Sequence, residues 1–318
     1  MPDNTTRGSD APEPMVSVVI PYFNRADTIG RALDSVLQQT CSDWEVILVD
    51  DGCTDDAALM QALQPFLLHP QIRLIRHPVN RGVSAARNSG IAAARGRYVA
   101  LLDSDDYWLP EKLARQLAAA ERSAAPERVL CLSKTKILMP DGWTRIRPLQ
   151  WPAPGATLAR YLYCEGGFAQ CSAFFLSTAL ARQVPFHETL RQYEDHLFII
   201  EVQAAGAEVM LLDEVLTVWV NDARPGRLSA ADSIARAAQF VALAGNTVEP
   251  SALLAFQART TGELVWQRSR TAAVGLLAKA VAAGGLPPMQ ALVLLIRMAL
   301  PVGPYQALRR YFTAARGL

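Results

Sequence analysis

The sequence predicts an α/β fold, a parallel sheet with helices on both faces, followed by a helical region. Three observations predict it. Short apolar runs alternate with segments of helical period from Val16 to Leu102, and alternation of this kind implies a parallel sheet. The strong runs stop at polar or acidic clusters: Pro21-Tyr22-Phe23-Asn24, Asp50-Asp51 and Asp103-Ser104-Asp105-Asp106. Ligands of such sheets sit at the carboxyl ends of the strands. The chain has 318 residues, 51% hydrophobic and 19% charged, which suffices for a full core and a second module.

The elements follow in order. Val16–Ile20 reads as a buried strand ended by Pro21. Ala26–Gln39 has apolar residues at 29, 32, 33, 36 and 37, a helical spacing, with Asp27 as its expected cap. Trp44–Val49 is a second strand and Asp55–Leu67 a second helix. Ile72–Ile75, Val83–Ala94 and Tyr98–Leu102 continue the pattern as strand, helix and strand. A helix at Glu111–Glu121, a strand at Val129–Leu138 and a Pro- and Trp-rich connection over Pro140–Pro154 come next. Phe174–Leu176 and Val209–Val220 read as strands, and Leu190–Ala205 holds an apolar helix. From about Ala230 the chain reads as helical, broken near Gly245–Pro250 and Gly284–Pro288.

Composition excludes several classes. A net charge of +1 argues against a nucleic-acid partner, which needs a basic face. The five cysteines are odd in number and lack CxxC spacing, which argues against a disulfide framework or a structural zinc site and fits a cytoplasmic location. Residues 1–14 have no apolar core and read as a disordered leader. The run from Met289 to Val302 is too short to span a membrane and contains Arg297 and Pro301. No Asp or Glu follows Glu263, whereas Arg268, Arg270, Lys279, Arg297, Arg309, Arg310 and Arg316 do. Such a tail has two readings: an amphipathic segment on an anionic membrane surface, or a helical tail packed on the main domain.

The acids at 103–106 carry the chemistry. Carboxylates clustered at a strand end repel one another, and a divalent cation is the usual compensation. Oxygen ligands with little histidine suit Mg²⁺ or Mn²⁺, with the remaining ligands drawn from a substrate diphosphate. The competing reading is an Asp-rich turn before the next helix. Asp50-Asp51-Gly52 likewise reads as a site or as a turn. Asn80–Gly90 opens a helix with a glycine and two arginines, a phosphate site or a solvated helix start.

In their order and spacing, Ser17–Asn24, Val49–Gly52, Asn80–Asn88 and Leu102–Asp106 with Trp108 and Pro110 resemble the glycosyltransferase family 2 proteins. The match is dense from 16 to 121 and followable to about 229. The resemblance implies a GT-A, nucleotide-diphospho-sugar transferase fold, a Rossmann-like mixed sheet flanked by helices, to which the helical reading from about Ala230 adds a C-terminal helical extension. It divides the chain into a leader (1–14), a GT-A domain (15–229) and a helical region (230–318). It implies an inverting transfer from a nucleotide-diphosphate sugar, a UDP-sugar foremost, to a saccharide or lipid-linked hydroxyl in cell-surface polysaccharide or glycolipid assembly.

Residue by residue, Pro21, Phe23 and Asn24 fall on the motif cradling the nucleotide. Asp51 falls on the acid that meets the base, and Arg87 lines the sugar-nucleotide pocket. Asp103 faces ribose and metal, Asp105 ligates the metal, and Asp106 stands behind them. Glu194 and Asp195 resemble the family's acidic pair, with Asp195 as the catalytic base; an acidic helix start favoured by the macrodipole is the other reading. The stretch Val220–Ser229 lacks the histidine many members carry, so Asn221, Asp222 or Arg224 stands as its substitute. The alternative function is a catalytically inactive nucleotide-sugar-binding or scaffold protein. A processive synthase would need membrane spans and a Gln-x-x-Arg-Trp motif, and a nucleotidyltransferase a Gly-rich loop after the first strand. On the first of its two readings, the cationic tail suggests a lipid-linked acceptor and a peripheral contact at the inner face of a membrane.

Overall fold

The computed structural model describes residues 13–222 and 234–300. The chain divides into two compact units. The described residues of Met1–Arg147, Gln170–Glu188 and Ala205–Ala223 form the first, and those of Pro148–Ala169, Thr189–Ala204 and Arg224–Leu318 the second.

The first unit opens with β1 (Val16–Tyr22), α1 (Ala26–Leu37), β2 (Trp44–Asp50), α2 (Asp56–Leu63), β3 (Ile72–Arg76), α3 (Val83–Ala93) and β4 (Tyr98–Leu101). A two-residue β5 (Tyr107–Trp108), α4 (Lys112–Ala120), β6 (Val129–Leu138) and β7 (Thr144–Arg147) follow. The second unit then takes α5 (Leu158–Tyr163), the first β8 (Phe175–Ser177) and α6 (Thr178–Gln183), the second α7 (Glu194–Ala204), and the first β9 (Glu208–Val220). Five further helices complete the described part of the second unit: α8 (Ile234–Ala244), α9 (Pro250–Thr260), α10 (Gly262–Arg268), α11 (Arg270–Ala282) and α12 (Pro288–Ala299).

The strands make one sheet in the order β3-β2-β1-β4-β8-β6-β9-β5, with β7 paired to β6. β1 pairs in parallel with β2 and β4, and β2 with β3. The far half is mixed: β8 is antiparallel to β4 and β6, whereas β6 and β9 run parallel with a register shift around Lys134. This is the expected mixed sheet flanked by helices. β1, β2 and β4 are buried along their whole length, because a parallel sheet is covered on both faces. On one face Val18, Ile20, Val46 and Leu48 join Ile29, Leu33 and Val36 of α1. Each fully buried aliphatic side chain contributes about 1.5–3 kcal/mol. On the other face α3 lies so close to β1 that a Cβ on Gly90 would sit 2.3 Å from Val19 Cγ1.

The second unit is centred on aromatic rings. Phe240 of α8 and Phe256 of α9 lie 4.3 Å apart, and Tyr163 and Tyr193 meet them edge-on. This packing draws 148–169 and 189–204 into the helical unit, so the observed division differs from the single boundary expected near 229. At α1, Arg25 rather than Asp27 holds the N-cap position, with no side-chain cap bond; Asp27 sits in the first turn. Asp55 does cap α2, accepting from Ala58 N–H at 3.0 Å. The expected loop at Trp143–Pro154 begins with β7, the return strand of a hairpin with β6.

A lysine lies inside the first unit. Lys112 is fully buried, its Nζ 2.6 Å from Gln116 Oε1 and 4.0 Å from the centre of the Trp108 ring. Loss of hydration pushes the ammonium down to about 7, against an ordinary value of 10.5. Between these values the unfolded chain binds more protons than the folded one, so this group makes stability rise with pH. Lys112→Met is expected to remove a rise in unfolding free energy of about 1 kcal/mol per pH unit between about pH 7 and 8.5. Urea titrations across that window check this, and an unchanged slope would refute it. Cys131, pushed up to about 12 by burial, acts in the opposite sense and only above about pH 9.

Candidate active site

Parallel pairing of β1 with β2 and β4 sets three carboxyl ends side by side, and the segments following them hold most of the residues singled out above. Pro21 lies buried in β1, and Phe23 emerges just past the strand end. Asn24 takes a left-handed conformation (φ 49°), which asparagine tolerates better than most residues. Its side chain accepts from Thr54 N–H and donates to Thr54 Oγ1, both at 3.1 Å, which laces the loop after β1 to the loop after β2.

Asp51 is buried and anchors a third segment. Its carboxylate accepts from Arg81 N–H at 3.0 Å and Gly82 N–H at 2.7 Å, at the start of α3. His77 Nδ1 lies 2.7 Å from Asp51 Oδ1, and His77 Nε2 lies 2.8 Å from Ser89 Oγ. An ionised carboxylate only accepts, so His77 Nδ1 donates to Asp51. Gly52 permits the approach: its φ is +74°, and a Cβ there would lie 2.4 Å from the Val79 carbonyl carbon.

Arg87, from the buried face of α3, donates to Asp103 Oδ1 at 2.8 Å. Its guanidinium lies 5.2 Å from the Phe186 ring centre. Asn88 fixes the Phe186 backbone by donating to its carbonyl and accepting from its N–H, each at 2.9 Å. Arg81 and Asn88 both donate to Glu188, at 3.1 and 3.2 Å.

The 103–106 turn closes with Asp106 N–H donating to Asp103 carbonyl oxygen at 3.0 Å. Asp106 points inward and is wholly buried. It accepts from Ser172 Oγ at 2.7 Å, Gln170 Nε2 at 2.5 Å and Val220 N–H at 3.1 Å. Burial first, and then the neighbouring Asp103 and Asp105 carboxylates, push its carboxyl well above the ordinary range. Ser172 Oγ also accepts from Asp103 N–H at 3.0 Å, and the Ser172 carbonyl accepts from the Trp108 indole at 2.7 Å. Asp105 is ion-paired with Arg25, Nη1 to Oδ2 at 3.1 Å, and its carbonyl accepts from Arg31 at 2.5 Å. Among the described residues, no group of three or more His, Cys, Asp and Glu is arranged to hold a metal ion by itself.

Glu194 and Asp195 belong to the second unit, as the first two residues of α7. The residue before them, Tyr193, is left-handed at φ 65°, a strained state for an aromatic residue, and its carbonyl accepts the first helical bond from Leu197 N–H. Asp195 Oδ1 accepts from His196 N–H at 2.8 Å. Tyr163 Oη lies 3.3 Å from His196 Nδ1. Burial first, and then Asp195 and Tyr193 nearby, push the Tyr163 phenol well above its usual range. Asn221 and Asp222 follow β9, with Asn221 N–H donating to the Leu138 carbonyl at 2.9 Å. Arg224 and the rest of the stretch to Ser229 lie outside the described residues.

Arg25, His77, Gln170, Ser172 and Glu188 were not singled out from the sequence. The arginine following Asn24 and the polar pair around Cys171 are ordinary surface composition until the chain is folded. Asp51→Asn is expected to lower the unfolding free energy by about 1–3 kcal/mol, because both carboxylate oxygens are in use and an amide offers one acceptor. A thermal or urea melt matching that of the wild type would refute the anchoring role.

Similarity to known proteins follows the same geography. The chain is 28% identical over 221 residues to the amylovoran biosynthesis glycosyltransferase AmsB of Erwinia amylovora, covering 69% of this chain and 73% of that one. It is 30% identical over 223 residues to the succinoglycan biosynthesis protein ExoO of Rhizobium meliloti, covering 68% of this chain and 63% of ExoO, just under two thirds. The crystal structure of S. aureus TarS 1-349 in complex with UDP-GlcNAc superposes with a TM-score of 0.64 at 20% identity, covering 94% of this chain and 92% of that one. That likeness is one of fold. Residues 17–184 match the family model described as glycosyl transferase family 2. That segment exceeds half of the chain and carries the strand-end residues Pro21, Asp51, Arg87, Asp103 and Asp105, and the chain belongs to glycosyl transferase family 2.

Proposed function

We propose that this glycosyltransferase moves a sugar from a UDP-sugar to a hydroxyl of a saccharide or lipid-linked acceptor, with inversion, in the assembly of a cell-surface polysaccharide. The observation that carries the reading is the strand-end turn at Asp103 and Asp105, with each acid partnered by an arginine from a neighbouring helical element. The biosynthetic roles in the names of AmsB and ExoO support the pathway class, and the UDP-GlcNAc described with TarS supports the donor class.

The chemistry follows from the residues. Pro21, Phe23 and Asn24 would border the base, where Asn24 is already held by the Thr54 loop. Asp51 keeps the start of α3 in place, so that Arg87 is delivered to Asp103. Asp103 and Asp105 offer hard oxygen donors from one turn, a donor set that fits Mg²⁺ or Mn²⁺. Such an ion supplies charge neutralisation for the departing diphosphate. Asp195 would take the proton of the attacking acceptor hydroxyl, and Glu194 would hold it beside the helix start. A single displacement needs no covalent intermediate, so no second nucleophilic carboxylate is required.

Asp195→Asn is expected to lower the transfer rate by about 100- to 10,000-fold while leaving UDP-sugar affinity within about twofold. Asp105→Asn is expected to abolish the Mn²⁺-dependent part of UDP-sugar binding measured by calorimetry with and without chelator. Near wild-type transfer by the Asp195 variant removes it as the base. Metal-independent binding by the wild type removes the ion from the reading.

The second unit supports a cytoplasmic enzyme that docks on the inner face of a membrane. Among the described residues no helix is long and apolar enough to cross a membrane. On α12, however, Met289, Leu292 and Val293 are 70%, 48% and 47% exposed, and only Ala291 is buried. Arg268, Arg270, Lys279 and Arg297 accompany them with no acid after Glu263, although Arg297 pairs with Glu263 at 3.2 Å. An apolar face with cationic neighbours suits anionic lipid. The full chain is expected to sediment with vesicles containing anionic lipid and not with zwitterionic ones. The triple variant Met289→Ser, Leu292→Gln, Val293→Gln is expected to stay in the supernatant, and its undiminished sedimentation would defeat the assignment.

A further inference from the structure

The two acids of the strand-end turn are matched by arginines of different character. Arg87 is built into the interior: its side chain is 4% exposed, it stacks on Phe186, and α3 carries it. Arg25 stands at the N-cap of α1, its backbone carbonyl accepting from Thr28 and Ile29 N–H, with its side chain 26% exposed and reaching across to Asp105. The nearby Arg31 does a separate job. It donates to the Asp105 carbonyl, its guanidinium 5.4 Å from the Tyr107 ring centre, and so holds the turn's backbone rather than its charge.

We propose that Arg25 is a placeholder cation for Asp105. Its guanidinium neutralises the carboxylate before substrate arrives and is exchanged for the divalent ion that enters with the sugar nucleotide. The inference rests on the proposed metal role of Asp105 and adds a positioning residue to it. Three physical points support it. Asp105 shares one short turn with the Asp103 carboxylate, and the Arg25 pair sets a cation of its own against Asp105 as Arg87 does against Asp103. An ion pair that is only partly buried is worth little enough to be broken by a competitor, unlike the interior Arg87 pair. The exchange also makes ion and nucleotide binding cooperative. The ion alone must displace Arg25 unaided, whereas the ion entering with a diphosphate gains further ligands and offers the displaced guanidinium an anion. Arg25 is thus a residue that suppresses binding of the ion by itself.

The test reads binding of Mn²⁺ directly, from the paramagnetic resonance signal of the free ion, with and without UDP, on the full chain. Arg25→Gln is expected to bind Mn²⁺ alone about fivefold more tightly than the wild type, the equivalent of a partly exposed ion pair of about 1 kcal/mol. The enhancement of Mn²⁺ affinity by UDP is expected to shrink, because the displaced guanidinium no longer meets the diphosphate, and linkage requires the enhancement of UDP affinity by Mn²⁺ to shrink equally. Arg31→Gln, which frees the turn's backbone and spares the ion pair, is expected to tighten Mn²⁺ binding in the absence of UDP by less than Arg25→Gln does. Equal or weaker Mn²⁺ binding by a folded Arg25→Gln overturns the placeholder role. Equal tightening by Arg31→Gln also overturns it, because loosening of the turn would then be the cause. If Arg25→Gln fails to fold, Arg25→Met removes the charge and keeps an unbranched apolar stem; it is expected to bind Mn²⁺ alone more tightly than the wild type, and no gain overturns the proposal. A wild-type chain that binds no Mn²⁺ even with UDP present refutes the metal role of Asp105 itself, and the exchange falls with it.

Discussion

The geometry of the candidate site hangs on one carboxyl group that no water reaches. Asp106 receives hydrogen bonds from Ser172, Gln170 and the Val220 amide. These come from three segments distant in sequence: the turn after β4, the stretch before β8, and the end of β9. An interior polar group left unsatisfied costs about as much as several ordinary contacts contribute, so the three segments are held in one arrangement or the fold loses heavily. Ser172 extends the constraint, since its hydroxyl also takes the Asp103 amide and its carbonyl takes the Trp108 indole. The two outward acids of the turn are therefore aimed by an inward one.

Around that anchor, charge is balanced locally. Asp103 meets Arg87, Asp105 meets Arg25, and Asp51 is taken up by two amides and His77. The same economy appears at the amino ends of β1 and β2. There Glu45 is raised by burial, yet bonds from the Arg95 amide and Ser17, together with the Arg73 charge, pull it below its ordinary value. Preorganised polar groups of this kind do not have to reorient when a charged ligand arrives, which is how fixed dipoles and ions stabilise developing charge.

The parallel half of the sheet was legible in the sequence because its strands are buried on both faces and read as unbroken apolar runs. Val16–Ile20, Trp44–Val49 and Tyr98–Leu102 fall on β1, β2 and β4 within a residue or two. β5 was not legible: two residues, Tyr107 and Trp108, carry no period, and they pair only because β9 passes alongside. α5 and α6 have six residues each, too short to show a helical repeat. For the site, acids at strand ends announce themselves, whereas their partners do not. Arg25 and Ser172 acquire meaning only from contacts about eighty and seventy residues away, which depend on topology rather than local pattern. The split into units was hidden for the same reason, since Tyr163, Tyr193, Phe240 and Phe256 converge from four separate segments.

The order in which the chain visits its two units has a further consequence, for biosynthesis. β6 pairs with β8 and β7 along one edge and with β9 along the other, over its whole length. β9 is the last strand to leave the ribosome, and two segments of the helical unit precede it. Until Glu208–Val220 has emerged, a nascent chain therefore carries a long strand with an open edge, the kind of edge that templates association between chains. Its exposed interval runs from the end of β6 to the end of β9, residues 139–220.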